Sequence, residues 1–136
     1  MKSVSLFLLL SFLLPIAANA ANEKDAAMSL KLFQVLTTSG AFAAECKVAE
    51  GAEKAAYVSG IEIVTEVTAM AVSDARPEMT KADAESELAA LTKAIHKKVK
   101  ASVKSDGCES ELAKSMITRY HDLLKQDFST LQSNNA

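Results

Sequence analysis

Apolar residues recur every three or four positions along most of this chain, the period of a helix with one face turned to a core. Met28, Leu32, Val35, Phe42 and Cys46 keep that spacing, with Ser39 filling the gap, and predict a first helix over 23–48. Asn22 suits its N-cap, and Glu23 and Asp25 bring negative charge to the first turn, where the helix dipole favours it. Thr37-Thr38-Ser39-Gly40 weakens the middle of this segment. Either the helix kinks there, or Gly40 lets a neighbouring helix come close.

The second segment, 52–73, has its polar positions Ser59, Glu62, Glu66 and Ser73 on one narrow stripe, with Ala69 between them. Tyr57, Gly60, Ile61, Val64, Val67, Met70 and Ala71 cover the rest, so this helix is expected to be buried on most sides. Its β-branched residues, among them Val58, Ile63, Thr65 and Val72, would also suit a strand. Strict alternation fails at Ile63-Val64 and again from Ala69 to Val72, which favours the helix.

Arg76-Pro77 breaks the chain, and Thr80 followed by Asp83 resembles a capping box. Leu88, Leu91, Ile95 and Val99 then mark a third helix over 81–104, continuing to Val103. It starts acidic (Asp83, Glu85, Glu87) and ends basic (Lys97, Lys98, Lys100, Lys104), which complements its dipole. Asp106-Gly107 is a turn. Leu112, Met116, Tyr120, Leu123, Leu124, Phe128 and Leu131 form the seam of a fourth helix over 108–131, and the residues after it are expected to fray.

Short connections make sequential helices antiparallel neighbours, so the expected fold is all-α, an up-down-up-down four-helix bundle. That topology brings Cys46, at the end of the first helix, and Cys108, at the start of the fourth, to one pole. An even cysteine count in an oxidising compartment reads as a disulfide. Closing a loop of about 63 residues stabilises a fold by about 4 kcal/mol in the chain-entropy view.

The compartment follows from the N-terminus. Lys2, the apolar run Leu6 to Leu14, the helix-breaking Pro15 and Ala18-Asn19-Ala20 have the three parts of a secretory signal. The expected processing leaves 21–136 as a single exported domain, periplasmic if the source is bacterial and secreted otherwise. The apolar run is shorter than the roughly 20 residues that span a bilayer, so no transmembrane span is expected after cleavage. Loss of Lys2 leaves 14 basic against 17 acidic residues. That mild acidity argues against nucleic acid as a partner.

The chain carries no nucleophile elbow, no His-Glu-x-x-His, no phosphate-binding glycine loop and no EF-hand spacing. His96 and His121 fall in different helices, and His121 cannot form a dyad with its chain neighbours Tyr120 and Asp122, which point elsewhere. Glu62 and Glu66 share a helix face but have no Glu-x-x-His companion, so they read as a solvated stripe or a surface meeting a basic partner. Neither metal nor cofactor is expected, nor catalysis. Lys97, Lys98, Lys100 and Lys104, beside His96, suit either dipole complementarity or an anionic surface.

Two groups of small helical periplasmic proteins share features with the chain. Cys46 followed by Ala56-Tyr57-Val58-Ser59-Gly60 resembles the Tyr-hydrophobe-x-Gly helix start of helical immunity proteins against type VI secretion effectors, though the Cys often found beside that Tyr is missing. The stretch Leu36 to Cys46, and Tyr120 to Leu124 with Asp127, is similar to type II secretion pilotins. Those pilotins are lipoproteins, whereas Ala21 stands where a lipidated Cys would follow the signal. Either resemblance implies a disulfide-bonded bundle that binds a protein. With a complete core and a covalent staple but no catalytic set, the expected function is a non-catalytic protein-binding role of the immunity, inhibitor or assembly-helper kind. The alternative is a carrier of a small apolar ligand in a cavity between Ala-lined helices.

Overall fold

A computed structural model describes residues 20–133, so the expected signal peptide lies, except for Ala20, outside the described residues. Five helices follow one another: α1 (Ala20–Glu45), α2 (Gly51–Ala75), α3 (Lys81–Asp106), α4 (Glu111–Leu123) and α5 (Ser129–Ser133). No strand occurs among them. The spacing of apolar residues thus gives the right class of element throughout, and the β-branched run in α2 is helical because tertiary packing outweighs its local preference.

The fold is an all-α bundle with one disulfide. Its central member is α1, which packs against α2, α3 and α4, whereas α3 and α4 scarcely meet. The middle of α1, Leu36 to Ala43, is buried on every side. Phe33, Leu36 and Phe42 of α1 form the core with Val64 and Val72 of α2, Leu88, Leu91, Ile95 and Val99 of α3, and Ala113 of α4. Small residues at 37–41 are what a central helix needs, because they let three neighbours approach it. The helix does not break there. The ring of Tyr57 lies on Gly40, and a Cβ at that position would overlap it.

The caps fix where helices begin. Thr80 accepts a hydrogen bond from the Asp83 amide (3.1 Å), and the Asp83 carboxylate accepts one from the Thr80 amide (3.0 Å), completing the expected capping box of α3. These bonds hold the Asp83 carboxyl below the usual carboxylate range. Ser110 caps α4 by accepting from the Ala113 amide at 3.2 Å. Cys108 therefore precedes the helix rather than opening it.

The fourth segment departs furthest from expectation. It does not run to 131 but stops at Leu123, and α5 follows after a turn. The Asp127 carboxylate accepts from the Ser129 amide (3.0 Å) and from the Ser129 hydroxyl (2.6 Å), a local alternative to helical pairing. The turn puts the ring of Phe128 on Gly60 of α2, where a Cβ would lie 2.8 Å from it. Two residues assigned to apolar seams are solvent-facing, Met28 in α1 and Leu112 in α4. Conversely Met79, in the α2–α3 connection, packs against the core.

Cys46 and Cys108 are joined, with Cα atoms 5.8 Å apart and a sequence separation of 62. A disulfide is the chemistry of an oxidising compartment. It ties the end of α1 to the start of α4 at the pole where α2 begins and α3 ends.

Candidate functional site

Among the described residues, a cluster of chemically distinctive side chains lies where α1, α2 and α4 meet. Tyr57 of α2, laid on Gly40, stands 5.7 Å from the ring of Tyr120 of α4 at an interplanar angle of 44°. Tyr120 is fully buried. Its edge meets the ring of His121, and the His121 Nδ1 lies 2.5 Å from Glu53 Oε2 at the start of α2. Burial, then the neighbouring Tyr120, pushes the Tyr57 phenol up to about 12. Burial, then the Glu53 charge, likewise raises Tyr120. Both phenols keep their protons near neutrality and cannot serve as nucleophile or base there. The cluster fixes α4 against α2.

The Tyr57-Val58-Ser59-Gly60 motif acquires a physical account here. Tyr57 fills the space above Gly40, and Gly60 admits Phe128. Both ends of the motif are packing positions, and Val58 between them faces solvent.

The surface residues singled out in the sequence fall into two groups. Glu62 and Glu66 line an open groove with Ile61, Thr65, Lys81 and Glu85. Lys81 of α3 lies 3.7 Å from Glu66 and 3.8 Å from Glu85, so the acidic stripe is partly neutralised within the molecule. Lys97, Lys98, Lys100 and Lys104 are exposed on the second half of α3. Among the described residues no ion pair joins the two groups. Among the same residues, no three His, Cys, Asp or Glu side chains gather in a way that could hold a metal ion.

Sequence reasoning missed the pairing of His121 with Glu53, because 68 positions separate them and no local spacing reports it. It also overestimated how far α2 is covered. From residue 51 to 59 every position of α2 except Tyr57 is exposed. α2 is long and apolar enough to cross a membrane by length and composition, yet only 33% of its most apolar stretch is buried. Its inner face packs on α1 and α3, and Glu62 and Glu66 interrupt its outer face. Val58 (48% exposed) lies on that outer face, while Val48 (39%) and Leu112 (53%) flank the disulfide. No family model, curated protein or solved structure matches this chain, and the likeness to immunity proteins and pilotins rests on the residues quoted for it.

Proposed function

We propose that this chain is an exported, non-catalytic bundle that acts by binding a protein partner, as an immunity protein, an inhibitor or an assembly helper does. The observation that carries this reading is the incomplete burial of α2. A helix this apolar is ordinarily covered, but here its first third, with Ala52, Ala55, Ala56 and Val58, faces solvent. Exposed apolar side chains grouped at one end of a helix support an interaction surface there. The disulfide supports export, as do Lys2, the run Leu6 to Leu14 and Ala18-Asn19-Ala20. Burial keeps the Tyr57 and Tyr120 phenols protonated near neutrality, which argues against either acting as a nucleophile or base.

A photo-crosslinking side chain placed at Val58, in protein made and irradiated in its source cells, tests the reading. The expected result is one stoichiometric protein adduct at Val58 and none when the crosslinker replaces Lys31 on α1. Irradiation that leaves Val58 protein at its own mass overturns the proposal.

A further inference from the structure

The two halves of α3 treat charge differently. In the first half Lys81 lies between Glu66 and Glu85, and Glu87 lies 4.0 Å from Arg76. From residue 88 to 105 there is no Asp or Glu, yet Lys93, Lys97, Lys98, Lys100 and Lys104 occur there with His96. All five lysines are exposed, and none makes an ion pair among the described residues. Lys93, Lys97, Lys100 and Lys104 advance by four, three and four residues. They therefore form one stripe about 16 Å long on a helix rising about 1.5 Å per residue. At about 100° per residue, the stripe is centred opposite the buried face of Leu88, Leu91, Ile95 and Val99.

Dipole complementarity does not explain this stripe. The dipole's influence fades beyond the last turn, and Lys104 is the basic residue of that turn. Lys97 and Lys93 stand about two and about three turns before Lys104. Like charges three and four apart repel, so the stripe opposes the helix that carries it. It also collects four of the chain's 15 basic residues on a protein of net charge −2.

We propose that the Lys93–Lys97–Lys100–Lys104 stripe is a docking face for an acidic protein surface. The inference rests on the partner-binding reading above and specifies the partner's charge. A lipid surface fits less well, because the positions flanking the stripe, Ser86, Ala89, Ala90 and Ala101, supply no large apolar side chain to enter a bilayer. Complementary charge speeds encounter and fixes register, and salt weakens it.

Binding of labelled poly-L-glutamate to the mature protein tests the proposal. One variant carries Lys93→Gln, Lys97→Gln, Lys100→Gln and Lys104→Gln. A second carries Lys24→Gln, Lys31→Gln, Lys47→Gln and Lys54→Gln, with the same change in net charge. Gln matches Lys closely in helix propensity, and unchanged thermal unfolding verifies both folds. At low salt the stripe variant is expected to lose about tenfold or more in affinity, within the range that electrostatic focusing supplies. The second variant should stay near wild type, and wild-type binding should weaken as salt rises. Equal losses in both variants, or no binding by wild type, overturn the proposal. So does binding to phosphatidylglycerol vesicles or to single-stranded DNA without binding to poly-L-glutamate. An adduct at Val58 that survives neutralisation of the stripe sinks this inference alone and leaves the partner-binding reading standing.

Discussion

Gly40 has the Tyr57 ring where a side chain would begin, and that contact sets what the position tolerates. Ala is a better helix former than Gly by about 1 kcal/mol. Overpacking a filled site costs about 1–3 kcal/mol, which is the larger effect against a buried ring. Gly40→Ala is therefore expected to lower stability by up to about 2 kcal/mol in urea unfolding, and to become stabilising once Tyr57→Ala has removed the ring. At Gly60 the obstructing ring belongs to Phe128, just before the short α5, which can shift. Gly60→Ala should cost less than Gly40→Ala, and equal costs would show that α5 is held as firmly as α2.

Tyr57 also carries a pH dependence of defined sign. Its phenol titrates at about 12 in the fold against 10.0 when unperturbed, so the native state holds the proton more tightly than the unfolded chain does. The associated stability is complete below pH 10 and is lost as pH rises toward 12. Urea unfolding followed across that window should show a falling midpoint, and Tyr57→Phe should flatten the slope. At this scale the sequence was a partial guide. Gly40 was legible as a point of weakness or of close approach, and the second alternative holds. Its occupant, Tyr57, lies 17 positions further along the chain, where no helical period connects the two.

At the scale of elements, legibility followed locality. The capping box of α3 and the three- and four-residue apolar spacing are short-range patterns, and both mark helices correctly, although Met28 and Leu112 keep the spacing and face solvent. The end of α4 was misplaced because its apolar spacing continues through Phe128, while the Asp127 side chain diverts the backbone before it. Coverage of α2 was misjudged because periodicity shows which face is apolar and not whether a neighbour covers it along its whole length. Phe128 is 7% exposed and carries the attachment of α5 to α2. Phe128→Ala should cost about 3 kcal/mol. It should also raise amide exchange in residues 124–133 while leaving α3 protected, and a uniform rise would show that this segment unfolds only with the whole bundle.

For the whole molecule, the disulfide and the bundle were legible together, since the topology that pairs sequential helices also brings Cys46 and Cys108 to one pole. The central position of α1 was not. A four-helix pattern is compatible with several arrangements in cross-section, and the choice depends on the small residues at 37–41 and the short α4. Replacing both cysteines by Ser should lower stability by about 4 kcal/mol, the entropy of a loop of this length, while far-ultraviolet circular dichroism at 25 °C stays helical. Loss of helicity in the reduced protein would mean that the bundle cannot close without its covalent tie.

The same bond divides the molecule mechanically. Tension applied between the N-terminal end of α1 and the C-terminal end of α4 runs along α1 to Cys46, crosses the sulfur bridge to Cys108 and continues into α4. Both α2 and α3 lie inside the bridged loop and off the covalent load path. The exposed face of α2 and the lysine stripe of α3 belong to this shielded loop. A pull on the chain ends can peel α1 and α4 apart, but it cannot stretch either of the two helices proposed to meet a partner until the sulfur bridge itself is broken.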